Sequence, residues 1–594
     1  MSAKSTTKTG SRPAPAVASS SHSSASPESV PKVTRIVFTA LLLDILAFTI
    51  ILPLFPRLLQ FYRDSEHGDQ TSLLAWSLSR LTEFQSAIGL NDAKTPTSSS
   101  IKRPPKMDIV LLGGALGSLF SVLQFIASPV IGKLSDVLGR RRVLLISMLG
   151  NLISCAVWLF SSTFELFVLS RIIGGLSEGN VQLSIAMISD ITTPATRSKG
   201  LAMVGIAFAI AFTVGPALGA YFANKDLVAA WPGLAQYGLH PFSGSALLAL
   251  VLLTVESLYL YAKLPETNSE SWRLAVQQTV QQETTDASSG SSSSSSTPVI
   301  KGSTATTTKS ASTSSSTTAA LDQEKIQALQ QSYLSVLSFT HFAHLFLFSG
   351  MEFTLTFLTF HLFDFSHMQQ GALLGYIGIL SSLLQGGYVR RRAHIVGEKR
   401  MVLQGMVAAA IGLGSIALVS GGGGATITLL GEKFILFPGY VIDAIEWLDT
   451  QEWSRKTRMW GLYAGATGLA VTSATVVNCL TSLASLVCDM GSNDALPTPT
   501  STSTTTTTTT TKKQTIGKGL ALGRFRSWGQ LGRAAGPIAA CSLYWRVGPL
   551  VCYGAASAAV FAIAFLSSRI LPEVRKLPIR TRAAAAAAST KKTK

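Results

Sequence analysis

From residue 35 onward the chain alternates between long apolar runs and short polar breaks. Apolar runs fall near residues 35–56, 108–131, 143–161, 164–188, 200–223 and 243–263, and again near 336–361, 371–389, 401–419, 460–487, 517–545 and 548–570. At 1.5 Å rise per residue most of them can cross about 30 Å of hydrocarbon, the shortest only just. The pattern predicts an all-α membrane protein with twelve transmembrane helices in two six-helix, pseudo-symmetric halves. Between the halves, residues 264–335 include "ASSGSSSSSSTPVIKGSTATTTKSASTSSSTTAA", which is too polar to form a core. The expected organisation is a disordered tail 1–33, a first half 34–267 with an outer insertion 57–107, and a flexible linker 268–335. A second half 336–571 follows, with an outer insertion 420–459 and a low-complexity inner loop 488–516, and then a basic tail 572–594. The first thirty residues are rich in Ser, Ala and Pro and lack the apolar core of a signal peptide, so the first span is expected to act as its own insertion signal.

Composition strengthens this picture. Only 13% of the 594 residues are charged, against about a quarter in an average soluble protein. The net charge of +18 raises the question of nucleic acid, but the cations cluster in short stretches between apolar runs, where they act as topology signals. The inner loops 132–142, 190–199, 386–400 and 512–526 hold sixteen Lys and Arg, whereas 162–163, 224–242, 362–370 and 546–547 hold two, Lys225 and Arg546. The positive-inside rule then places both termini and the linker in the cytosol, in the plasma membrane or in a vacuolar or other endomembrane. The two outer insertions carry eleven more cations, but long loops are weak topology signals. The five cysteines are scattered, with no spacing of a disulfide framework or metal site. With no phosphate-cradling loop, metal-ligand cluster or nucleophile–base pairing, an enzyme is not expected.

One polar break is unusual. "GKLSDVLGRRR" (132–142) places one aspartate and four cations within eleven residues, bracketed by Gly132 and Gly139. Glycines allow a tight turn and close backbone approach. Asp136 can accept from the positively polarised N-terminus of a helix, and Arg140 or Arg141 can pair with an acid such as Asp190 at the end of span 4. Two six-helix halves carrying this turn after the second span resemble the major facilitator superfamily. The resemblance implies that the turn, with Gly132, Asp136, Gly139, Arg140, Arg141 and Asp190, packs against helix 11 and acts as a gate. "LSRIIGGLSEGN" in span 4 is similar to the family's helix-4 arginine motif. "GIAFAIAFTVGPALGA" in span 5, with Gly205, Gly215, Pro216 and Gly219, resembles the motif associated with proton antiporters. "LPET" closes span 6 as is common in the family. "RIVFTALLLDILAFTIILPLFP", "FLFSGMEFTLTFLTFHLFDFSHMQQG" and "RSWGQLGRAAGPIAACSLYW" look like the tetracycline-transporter-like branch, whose members are proposed to export organic anions and drugs. The second-half counterpart of the turn, "QGGYVRRRAHIVGEKR", has no acid at the position of Asp136, so an equal latch is not expected there.

A charge near the bilayer centre is expensive and reads as functional. Asp44 lies nine residues, roughly 13 Å, along the first helix from Arg35, and Glu352 is similarly deep in span 7. Both are candidates for proton coupling, the alternative being a structural pair or cap. Arg171 and Glu178 in span 4, Arg533 in span 11, and Gln124, Gln182 and Gln385 are candidates to line a substrate cavity, with helix–helix hydrogen bonding as the alternative for the amides. Asn180 is a further polar candidate, and His341 and His344 are relay candidates or interfacial residues. The reading is a secondary transporter working by alternating access, exchanging protons for a small, drug-like or anionic organic solute. A nutrient facilitator or proton symporter remains open, as does a scaffold or sensor that moves nothing. The expected partners are the solute, protons and membrane lipid, with no nucleic acid, metal or cofactor, and the expected state is a monomer.

Overall fold

The computed structural model describes residues 30–51, 54–66, 70–87, 107–223 except 195, 233 and 236, 238–279 except 270, 273 and 277, 314–421 except 366, 454–490 and 517–573. The expectations for residues 1–29, 88–106, 280–313, 422–453, 491–516 and 574–594 lie outside the described residues. The elements of the first half are α1 (Val30–Thr49), α2 (Phe55–Ser65), α3 (Leu73–Ala87), α4 (Met107–Leu138), α5 (Arg140–Leu159), α6 (Phe164–Ser177), α7 (Asn180–Ile191), α8 (Arg197–Ala223) and α9 (Ser243–Lys263). The second half consists of α10 (Ser314–Phe363), α11 (His367–Leu383), a π-helical turn (Leu384–Val389), α12 (Arg390–Val396), α13 (Glu398–Ser420), α14 (Arg455–Cys488) and α15 (Lys518–Ile570).

Nine of the described helices are long and apolar enough to cross a membrane. The last of them, α15, is two spans merged across a bend at Gly548, which makes ten. The remaining two spans are composite: α1 with α2, and α6 with α7. Together they are the twelve spans expected. Each half has its own apolar core, one built on Leu41, Tyr62, Phe167 and Leu183, the other on Leu358, Met401, Leu483 and Tyr544.

The composite spans show where apolar runs mislead. The first span was expected to end near residue 56, with an outer insertion beyond it. Instead Leu58, Leu59 and Tyr62 of α2 are buried in the first core. The Tyr62 hydroxyl lies 2.8 Å from the Ser161 carbonyl, and Glu66 accepts the Phe164 N–H at the start of α6 at 2.8 Å. Span 4 was expected to be one helix over 164–188, yet it breaks at Glu178–Gly179, and α7 starts afresh at Asn180. The linker assigned to 268–335 is already helical from Ser314, and α10 runs into span 7 without interruption. Ile326, Tyr333 and Leu337 share a helical face against the second core, and Gln330 donates to the carbonyls of Val487 and Cys488 at 3.1 and 3.0 Å. That amide adds a donor to the last carbonyls of α14, where the regular helical pattern ends.

The halves meet along two pairs of helices, α4 against the first arm of α15 and α8 against α11. At the opposite end from the 132–142 turn, α3 reaches across. Its Leu81 packs against both cores, and Arg546 donates to the Ala87 carbonyl at 2.6 Å. The bend in α15 rests on Gly548 at φ 85° and ψ 167°, a region that only glycine adopts without strain. Gly548→Ala should therefore destabilise the hairpin between spans 11 and 12 by about 1–3 kcal/mol. A lowered midpoint in thermal unfolding of the detergent-solubilised protein checks this; an unchanged midpoint would mean that the bend does not depend on the glycine.

Candidate functional site

Gly139 and Gly397, at φ 94° and 89°, immediately precede α5 and α13, so both halves turn after their second span by the same left-handed glycine. These turns, the start of α8 and the start of α15 cluster at one end of the molecule, called the basic face below. There Asp136 accepts the Gly519 and Leu520 N–H groups at 2.8 Å each, one per carboxylate oxygen. It thereby caps the N-terminus of α15, where unpaired N–H groups and the helix dipole favour an anion. Arg140, fully buried, bonds Asp136 at 2.9 Å and Asp190 at 3.0 Å. Glu266 of the "LPET" segment caps α5 in the same way, accepting from the N–H of Arg140 at 2.9 Å and of Arg141 at 3.1 Å. Gly132 and Gly519 touch backbone to backbone, and a Cβ on either would collide with the other's carbonyl.

The opposite side of the basic face is closed by different chemistry. The 386–400 turn supplies no acid equivalent to Asp136, as the sequence indicates. Instead Glu398, the residue after Gly397, accepts from Ser198 of the first half and from Ser482 at 3.3 Å. Arg197, at the start of α8, pairs with Asp489 at the end of α14, while Lys518 sits 3.0 Å from Asp489 and 3.7 Å from Asp190. Corresponding helix ends in the two halves thus carry the acids Asp190 and Asp489, and corresponding helix starts carry Arg197 and Lys518. Single-helix reasoning missed Arg197, Lys518, Glu398 and Asp489. The visible signal was the repeat of an acid closing spans 4 and 10 before a cation opening spans 5 and 11.

Deeper between the halves lies a set of charges, of which Asp44 and Glu256 are buried. Asn180, the first residue after the break in span 4, donates to Asp44 at 2.8 Å, and Glu178 at the break accepts from Asn151 at 3.4 Å. Asp44, Asn151, Arg171 and Glu178 line one small cavity of about 60 Å³. Arg526 of α15 lies within electrostatic range of both Asp44 and Glu178. Arg533, seven residues on, shares its helix face and lies in the field of Glu352. Among the described residues neither forms an ion pair; Arg533 is exposed, whereas Arg526 is half-buried, its Nε enclosed without a hydrogen-bond partner. Two charged residues of this region, one acid and one cation, escaped notice or were misplaced by the sequence reading. Glu256 in α9 is buried in the field of Asp44 and Glu178, and it lies mid-run just as Asp44 does. Arg526 was counted as a loop cation, although α15 begins eight residues before it.

The other candidates separate. Arg171 lines the small cavity beside Asp44 from within the first half, its guanidinium 5.5 Å from the Trp158 ring and 5.4 Å from Phe167. Gln182 donates to the Ser128 carbonyl at 2.8 Å beside Gly523, placing it in the packed α4–α15 contact. Gln385 lies in the π-helical turn against Gly205 and Asn478. Gln385 donates to Ser381 of its own helix at 3.2 Å, and the Oε1 atoms of both amides are buried without a hydrogen-bond partner among the described residues. Gln124 is buried in α4. His341 stacks on Phe525 at 4.4 Å, and His344 lies against Phe348. Gly215 and Gly219 bring α8 against Thr49 and Ile50, with Pro216 between them, and the Thr49 hydroxyl donates to the Ala211 carbonyl at 3.1 Å.

The ion pairs of the basic face have a defined pH range. Burial alone would raise the Asp489 carboxyl, but Lys518 and Arg197 outweigh it and hold it below the ordinary 3.8. For a depressed carboxyl the stabilisation is present above the unfolded value and is lost as pH falls through the folded one, so this contact keeps full strength at pH 5–8. Asp489→Ala should leave the buried Arg197 charge uncompensated at a cost of about 3 kcal/mol, while pairing it with Arg197→Leu should recover much of that loss. Thermal unfolding of the three variants at pH 7 checks this; equal stability of single and double variants would mean the pair contributes nothing.

Similarity to known proteins agrees with this architecture. A family model described as Major Facilitator Superfamily matches residues 37–445. Major facilitator superfamily domain-containing protein 10 of Mus musculus is 32% identical over 541 residues, 91% of this chain and 93% of that one. Multidrug resistance protein 1 of Bacillus subtilis (strain 168) is 30% identical over 196 residues, 32% of this chain and 45% of its own. The crystal structure of the human organic anion transporter MFSD10 (TETRAN) superposes with a TM-score of 0.60 at 29% identity, covering 91% of this chain and 99% of that one. The chain therefore belongs to the major facilitator superfamily, as a multi-pass membrane transporter of small-molecule solutes and not an enzyme.

Proposed function

We propose that the protein carries an organic anion coupled to protons, with the basic face on the cytosolic side of a plasma or endomembrane. The observation that carries this reading is Arg526, a cation of the second half, set opposite Asp44 and Glu178 of the first. Ionised, these carboxylates hold Arg526. Protonated, they release it, together with Arg533, as a fork of donors for a carboxylate ligand. The anion and the proton then bind together, and both are carried as the halves rock about the site. Glu352 is assigned the same competition for Arg533 within the second half. The two basic-face contacts, Asp136 on α15 and Arg197 on Asp489, form the gate. The name of the human organic anion transporter relative supports an anionic solute.

Antiport is the second reading, and the span-5 motif favours it, since Gly215 and Gly219 seat α8 tightly on the helix that carries Asp44. A cationic or neutral solute that displaced the proton from Asp44 or Glu178 would be exchanged for it. Proteoliposomes loaded with a pH dye and given an outward or inward gradient of labelled organic anion separate the two by the sign of the proton flux. Asp44→Asn, Glu178→Gln and Glu352→Gln should abolish pH-driven accumulation while preserving anion exchange. Undiminished substrate-driven proton flux in all three would remove these residues from coupling. Arg533→Lys, which keeps charge but loses the fork, should weaken apparent affinity for anions about tenfold and leave cations unaffected. Equal loss for both would make Arg533 a structural cation, and uptake no greater than that of empty liposomes would favour a scaffold.

A further inference from the structure

A second cavity, separate from the charges between the halves, opens on the basic face. It is a cleft of about 460 Å³ between the start of α1, the start of α8, the helical stretch at 271–279 and the start of α12. Arg35, Lys199 and Arg390 line it together with Phe38, Met203 and Trp272, and among the described residues no acidic side chain does. All three cations are exposed, and none makes an ion pair with a described residue. Trp272 and Ala275 are buried and supply an apolar wall. Three cations at the mouth, unpaired among the described residues, and apolar walls behind them are complementary to a molecule with an acidic head and a hydrocarbon tail.

We propose that this cleft binds an acidic phospholipid, its headgroup among Arg35, Lys199 and Arg390 and an acyl chain along Phe38, Met203 and Trp272. The cytosolic leaflet is the one enriched in anionic lipid, and basic side chains near its surface attract such lipid. Arg35 and Lys199 belong to the first half and Arg390 to the second, so the headgroup bridges the halves on the face that Asp136 and Asp489 close. Bound lipid would then favour the closed basic face, whatever solute the protein carries.

Native mass spectrometry of the purified full chain tests this with dioctanoyl phosphatidylserine as probe, dioctanoyl phosphatidylcholine as the tail without net charge, and inorganic phosphate as charge without a tail. Phosphatidylserine should bind in preference to both. Arg35→Gln, Lys199→Gln and Arg390→Gln should each weaken it about fivefold. Arg391→Gln and Arg392→Gln, exposed neighbours outside the cleft, should leave it unchanged. Because the three cations are exposed and unpaired, the unliganded variants should unfold at the wild-type temperature. Equal binding of phosphatidylcholine, equal binding of phosphate, equal weakening by the two control variants, or full binding in the triple variant would each overturn the proposal. Phosphate matching phosphatidylserine would identify a site for a free anion.

Discussion

The contact on which the arrangement of the halves depends is a carboxylate laid across a helix end. Asp136 accepts two N–H groups of α15 that the helix itself cannot satisfy, and it does so from the other half of the molecule. Hydrogen bonds to a charged acceptor contribute about 1.5–3 kcal/mol each, more than neutral ones. Their geometry also demands that Gly132 and Gly519 meet without side chains. Arg140 holds the carboxylate in place, and Asp190 and Lys518 extend the pairing to the ends of the neighbouring helices.

The same helix carries both ends of the mechanism. From Lys518 at the basic face, α15 rises about 12 Å to Arg526 and about 22 Å to Arg533. Below Arg526 it packs on the first half, with Gly523 against Ser128. Above it, Gly532 and Gly536 pack on α10 of its own half. Ser527, donating to the Phe125 carbonyl at 2.6 Å, marks the changeover. A rigid helix latched at one end and charged midway would, on the proposed mechanism, link closure of the basic face to the approach of Arg526 to Asp44 and Glu178. The break in span 4 serves this arrangement: it frees Asn180 to hold Asp44 and presents Glu178 beside it.

The number of spans and the two-half plan were legible in the sequence because hydrophobic length is a strong signal. So was the turn at 132–142, since an acid between glycines at a helix mouth has few purposes. The first helix was truncated because "LPLFPRLL" reads as a boundary, whereas Leu58, Leu59 and Tyr62 continue inward past it. The break at Glu178–Gly179 was hidden because one glycine within an apolar run does not by itself end a helix. Partners were hardest to read. Nothing local shows that Arg526 of α15 lies in the field of acids more than three hundred residues away in the chain, or that Gln182 reaches the Ser128 carbonyl of another helix. Trp158, which together with Phe167 holds Arg171 within the first half, lies in another span.

The central claim is that Asp136 holds the basic face closed across the halves. Spin labels at Lys133 and Arg400, exposed positions in different halves on that face, report the separation directly by pulsed electron paramagnetic resonance, with the native cysteines replaced. In the otherwise native protein a short-distance population should dominate. Asp136→Asn, which keeps the shape but loses the charge that α15 and Arg140 require, should shift the distribution to longer separations while the protein remains folded. A distribution unchanged by the substitution would contradict the account.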